Sequence, residues 1–189
     1  MWQILRLVPL GALAALLATG TVFAQPATVD PATVVAVAAG DLNDDAERDR
    51  AVLVSREGDL DLFVFLSADV PDARQLAGFG MGLGYSIGAW GTEPDLEITD
   101  RGAVRLTSRN DAIDRNRWTE TLTILYRKGR VVVGGYTYLS RDTLDPDYRY
   151  ACDVNLFNGK GFFNDAPIRT DIRAMPISEF ARDGICPQE

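Results

Sequence analysis

Apolar and polar residues alternate along most of this chain. Leu60, Leu62, Val64 and Leu66 fall on one side of a two-residue period, with Asp59, Asp61, Phe63 and Phe65 on the other. That is the pattern of a strand whose successive side chains point to opposite faces. Residues 33–39 and 51–55 form earlier β-branched or apolar runs, and Arg56-Glu57-Gly58-Asp59 supplies a turn between the second run and residues 60–66. Leu96 and Ile98 alternate with Asp95 and Glu97, Arg101-Gly102 turns the chain, and Val104 and Leu106 alternate with Arg105 and Thr107. The clearest hairpin joins residues 118–126 to 131–139 through Arg127-Lys128-Gly129-Arg130. On its first arm Trp118, Leu122, Ile124 and Tyr126 face one way, and Thr119, Thr121 and Thr123 the other. A strand over 150–157 reaches the turn Asn158-Gly159, and Gly161-Phe162-Phe163 returns. Only residues 177–182 read as a helix, opened after Pro176 and stopped by Gly184. The pattern predicts a mainly β fold: an antiparallel meander forming a sandwich or a strongly curved sheet, with one short C-terminal helix.

The front of the chain breaks this rhythm. After Arg6, residues 7–23 are apolar and uncharged, and Val22-Phe23-Ala24 places small residues at the −3 and −1 positions of a cleavage site. The run is interrupted by Pro9, Gly11 and Gly20 and falls short of the roughly 20 residues that a spanning helix needs. Residues 1–24 therefore read as a signal peptide cut after Ala24, residues 25–31 as a flexible lead-in, and residues 32–189 as a single β-rich domain. The expected location is periplasmic or secreted, with no membrane span once the signal is cleaved. An oxidising compartment favours joining Cys152 and Cys186, which would tie the C-terminal segment back onto the strand around Cys152. There is no CxxC pair to suggest a redox role.

Composition narrows the chemistry. The 189 residues carry 19 Lys+Arg against 27 Asp+Glu, a formal net charge of −8, which argues against nucleic acid as a partner. The chain has no histidine. That removes Ser-His-Asp and Cys-His nucleophile systems, His-ligated zinc, HExxH proteases and proximal-His haem. Oxygen ligands remain. Asp41, Asn43, Asp45 and Asp49 occupy positions 1, 3, 5 and 9 of a polar loop between two apolar runs, and the backbone carbonyl of Glu47 can be added. Calcium takes six to eight such oxygens, and three carboxylates and an amide in so short a loop repel one another without a cation.

An EF-hand is excluded, because Ala46 stands where that loop needs Gly, Val52 where it needs a bidentate Glu, and the flanks are strand-like. The segment instead resembles the calcium loop of FG-GAP/VCBS-type repeats, roughly Gly-Asp-hydrophobic-Asn-Gly-Asp-Gly-x-x-Asp followed by a β-strand. The resemblance implies that Asp41, Asn43, Asp45 and Asp49 ligate a structural Ca2+. It covers residues 39–66 in a single copy, so it carries the loop and not a propeller. Asp44 and Ala46 depart from the pattern where glycine is usual, and a strained backbone at Ala46 weakens binding. The arrangement also resembles small exported bacterial proteins of uncharacterised function that carry one such loop near the mature N-terminus. The alternative is an acidic turn bonded to its own backbone, without an ion.

Other signals are weaker. Gly84-Tyr85-Ser86-Ile87-Gly88 fits GxSxG, but without histidine no triad can be completed. Gly78-Phe79-Gly80-Met81-Gly82-Leu83-Gly84 reads as a glycine loop, close-packed or bordering a ligand groove. Asp142, Asp145, Asp147 and Asp153 lie near Tyr148 and Tyr150, where acid and aromatic groups together would suit a sugar. A paired-carboxylate enzyme needs two of them about 5–10 Å apart in space, which proximity in sequence does not supply. Trp118, Tyr126, Tyr136 and Tyr138 read mainly as core. The expected function is an exported, non-enzymatic β-domain with one structural calcium loop and a disulfide, a binding or interaction module for a protein or glycan partner. The alternatives are a carboxylate-dependent glycan-acting enzyme and a cell-envelope inhibitor or partner-binding protein.

Overall fold

A computed structural model describes residues 29–68, 74–86 and 88–188. Residues 1–24, expected to be a signal peptide, and residues 25–28 of the expected lead-in lie outside the described residues. Near the start of the described residues, the Asp30 carboxylate accepts the Ala32 amide at 2.9 Å and caps a 3₁₀ turn at Pro31–Thr33. Strands β1 (Val34–Gly40), β2 (Asp49–Arg56), β3 (Asp59–Ser67) and β4 (Arg74–Tyr85) then pair in chain order as one antiparallel sheet. The second sheet runs in chain order through β5 (Asp95–Ile98), β6 (Ala103–Asn110), β7 (Asn116–Arg127), β8 (Arg130–Asp142), β9 (Arg149–Asn155), β10 (Lys160–Phe163) and β11 (Ala166–Arg169). Strand β9 pairs with β8 only from Gly135 onward, and β12 (Met175–Pro176) takes the free edge of β8 at Val132 and Val133. The predicted antiparallel meander is thus present twice, as two packed sheets that do not close into a barrel.

The two-residue period decides which faces meet. Leu60, Leu62 and Val64 of β3 and Ala51 and Leu53 of β2 are fully buried, and they share one hydrophobic cluster with Val104, Leu106, Leu122, Ile124 and Val133 of the larger sheet. Burial of side chains of this size contributes roughly 1.5–3 kcal/mol each, which is why the alternation fixes register. On the outer face of the smaller sheet Phe63 packs against its cross-strand partner Phe79, with ring centroids 4.5 Å apart.

The glycine-rich stretch is a strand and not a loop. It forms β4, whose alternate glycines let the second sheet and the C-terminal segment approach the backbone. A Cβ on Gly78 would stand 2.7 Å from Val131 Cβ, and one on Gly80 would stand 2.8 Å from the Ile177 carbonyl oxygen. Both lie within van der Waals contact, so β4 is thinned on its inner face to admit its neighbours.

The predicted C-terminal helix is also corrected. Only Ile177–Glu179 is helical, as a single 3₁₀ turn without a side-chain cap, since so short a segment cannot offset the cost of nucleating an α-helix. The segment is held by tertiary contacts instead. Ile177 and Ile185 are buried, Phe180 lies against Tyr136, and Cys186 is joined to Cys152 of β9 as expected, with Cα atoms 6.2 Å apart. Closing a loop of this length stabilises by about 3–4 kcal/mol in the chain-entropy treatment.

Candidate functional site

The acidic loop spans the turn between β1 and β2, closed at its base by the ladder pair of Gly40 with Asp49. Asp49 is 0% exposed. One of its oxygens accepts the Leu42 amide and the other the Ser67 amide, each at 2.8 Å, so it clasps the start of the loop to the end of β3. Asp41 gathers the loop's own backbone. Its Oδ1 accepts the amides of Asn43, Asp44 and Asp45 at 3.2, 2.7 and 3.3 Å, and its Oδ2 accepts that of Ala46 at 2.8 Å. Asp45 accepts from Asn43 Nδ2 and from the Glu47 amide at 2.8 Å each, and from the Ser67 hydroxyl at 3.3 Å. These donors, the Asn43 side chain foremost and then the Glu47 amide, hold the Asp45 carboxyl below the usual carboxylate range.

The loop reaches this shape through two residues in the left-handed region, Asp44 at φ 63° and Ala46 at φ 66°. They are the two positions where the repeat pattern carries glycine, and a side chain with a Cβ costs about 1–2 kcal/mol there. The strain expected at Ala46 is present, and Asp44 shares it.

Two features bear on whether a cation fits. Among the described residues no three Asp, Glu, His or Cys side chains form a group able to hold a metal ion. Asp41 and Asp49 already use both oxygens on amides. Against this, Asn43 Oδ1 is buried and meets no donor. An orphaned acceptor of that kind carries a desolvation cost that a cation would remove. Asp41, Asn43 and Asp45 are therefore drawn together within the loop, Asp49 is sealed beneath it, and Ser67 arrives from the end of β3. Sequence spacing gave no signal for Ser67, because it lies 18 residues beyond the aspartate it meets.

Three of the four aspartates near Tyr148 and Tyr150 have partners of their own. Arg115 Nε donates to Asp142 Oδ2 at 2.6 Å, and that hydrogen bond, followed by one from the Leu144 amide, lowers the acid's pKa. Asp145 accepts the Asp147 amide at 3.2 Å, and Asp153 accepts the Thr137 hydroxyl at 2.7 Å. Deeper in, Glu120 of β7 receives Arg182 bidentately, from Nε at 2.6 Å and Nη2 at 2.8 Å. The same guanidinium donates to the Gly82 and Leu83 carbonyls of β4, so one side chain ties the C-terminal segment to both sheets. Burial, and then the neighbouring Glu120 carboxylate, raises the Tyr136 hydroxyl's pKa far above the ordinary tyrosine value. Ser86 of the GxSxG stretch is buried, and its hydroxyl accepts the Gly88 amide at 3.3 Å.

Sequence reasoning missed a basic feature on the outer face of the larger sheet. Arg117 of β7 pairs in register with Arg141 of β8, which pairs with Arg149 of β9. All three line one cavity of about 460 Å³. The arginines are separated by 24 and 8 positions in the chain, and only the strand registers bring them together.

Among the described residues no helix is long and apolar enough to cross a membrane. Compared with known protein families, with curated proteins and with solved structures, the chain matches none.

Proposed function

We propose that the chain is an exported β-sandwich that acts by binding rather than by catalysis, with one structural calcium in the loop between β1 and β2. Asp41, Asn43, Asp45 and the Glu47 carbonyl are the ligands in this reading, and Asp49 holds the loop's ends beside them. The observation that carries the calcium is Asn43 Oδ1, a buried acceptor with no donor in the loop that also holds Asp41 and Asp45. The left-handed pair Asp44 and Ala46 lends support, because the backbone takes a glycine-like path without glycine. Export is supported by the leader-like residues 1–24 and by the Cys152–Cys186 bridge. The reading without catalysis is supported by the fate of the carboxylates. Asp142, Asp153 and Glu120 are committed to arginine or threonine partners rather than paired across a cleft.

The test is thermal unfolding of the mature chain with and without calcium. A melting temperature that rises with millimolar Ca2+ and returns on EDTA addition is the expected result. An unchanged melting temperature refutes the calcium half. Turnover of any glycan that is abolished by Asp142→Asn would refute the non-catalytic half.

A further inference from the structure

The arginine row on the larger sheet has no counterpart in the acidic loop's self-sufficiency. Directly opposed like charges destabilise a sheet, yet Arg117, Arg141 and Arg149 stand in register on three adjacent strands. Arg109 of β6 sits one strand further along, opposite Thr119 and diagonal to Arg117. Among the described residues no carboxylate forms an ion pair with Arg109, Arg117 or Arg141, whereas Arg149 meets Asp165 at 2.9 Å on the exposed surface. Arg117 Nη1 and Arg109 Nε are buried and have no acceptor. A buried N–H on a charged group without an acceptor is costly, and an oxyanion is what removes that cost.

The cavity beside the row has the size of a ligand site, about 460 Å³. Its wall combines the guanidinium groups with Leu139, which is 48% exposed, and with Pro146 and Tyr148. Adjacent strands lie about 4.8 Å apart, so the row places one guanidinium per strand along a line crossing the sheet, that of Arg149 shared with the exposed Asp165. Asp111 also borders the cavity and opposes a long run of negative charge. The chain's net charge of −8 acts in the same direction, which argues against an extended phosphate polymer and leaves affinity to contacts inside the groove.

We infer that this groove binds a short polycarboxylate, with successive carboxylates seated on Arg117, Arg141 and Arg149. That chemistry has two sources, a free multi-acid and the uronic acid units of an acidic glycan. The inference rests on the binding-module reading and is independent of the calcium loop.

Calorimetry of the mature chain against trigalacturonate, citrate and neutral maltotriose tests it. Calcium-free buffer is required, because carboxylates chelate that ion, and the melting transition is checked in the same buffer. Binding of trigalacturonate alone supports the inference and assigns an acidic glycan. Binding of both acids supports it and assigns the carboxylate cluster itself. Arg141→Gln should weaken the bound acid roughly ten- to hundredfold, with Arg141→Lys in between. Because Arg141 is exposed, both variants should melt no lower than the parent without ligand. Failure of both acids to bind, equal binding of maltotriose, or unchanged affinity in Arg141→Gln overturns it. A calcium-dependent melting shift read on a separate sample would survive that failure, so the two claims fall separately.

Discussion

The acidic loop at 41–48 and the arginine row on β7, β8 and β9 gather charge in opposite ways. In the loop, charges adjacent in sequence are answered from within: Asp41, Asp45 and Asp49 together accept nine hydrogen bonds from backbone amides and nearby side chains, one of them from a hydroxyl. One buried oxygen, on Asn43, is left over. In the row, charges far apart in sequence are brought side by side by strand register, and the sheet supplies no acceptor for Arg117 Nη1. A cluster dense in sequence can therefore be nearly complete in itself, while one that is invisible in sequence stays open toward solvent. Charge density along a chain is a poor guide to where a ligand is still needed.

The largest break in this contrast comes from Asp49→Ala. It leaves the buried Leu42 amide and the part-buried Ser67 amide without their acceptor, and it should cost about 2–4 kcal/mol in denaturant unfolding, on the order of 1–2 for each orphaned amide. Ala46→Gly sharpens the loop side. Relief of the φ 66° strain, partly offset by a freer unfolded chain, should stabilise by about 0.5–1 kcal/mol and tighten calcium.

Acid separates the two regions with a smaller effect. The Asp45 carboxyl is depressed in the folded state, so its contribution is present above the ordinary aspartate pKa and is lost as pH falls through the depressed value. NMR shifts of the Glu47 amide, which donates to Asp45 at 2.8 Å, should move over that acidic range. The guanidinium of Arg117 itself should stay charged throughout, because arginine does not titrate in that range. Smallest of all, Arg141→Gln without ligand should raise stability by a few tenths of a kcal/mol, as a cross-strand repulsion with Arg117 and Arg149 is relieved. A clear loss there would show that the row is internally neutralised after all.

Much of the fold was legible because the alternation of Leu60, Leu62 and Val64, or of Leu122 and Ile124, can serve only a half-buried strand. The hairpins at Gly58, Gly102 and Gly129 followed from turn chemistry, and the disulfide from compartment. Strand β4 was hidden because Gly78, Gly80 and Gly84 face its neighbours and only Leu83 adds a large side chain to the core: hydrophobic periodicity cannot register positions that carry no side chain. The helix at 177–182 failed for the converse reason. Pro176 and Gly184 are local signals, but Arg182 is drawn to Glu120, 62 residues earlier, and long-range contacts fixed the path. In the loop, the spacing of Asp41, Asn43, Asp45 and Asp49 was readable from the sequence alone, and the strain at Ala46 from the resemblance. The role of Asp49 as a clasp to Ser67, and the whole of the arginine row, depend on strand pairing that no local pattern encodes.

Calcium calorimetry on the mature chain, run beside Asp45→Ala and Ala46→Gly, bears most directly on the loop that anchors this account. One calcium per chain, lost in Asp45→Ala and bound more tightly in Ala46→Gly, is the predicted result. Absence of any calcium heat in both the parent and Ala46→Gly, with melting unchanged, would contradict it and leave the loop as a turn complete without an ion.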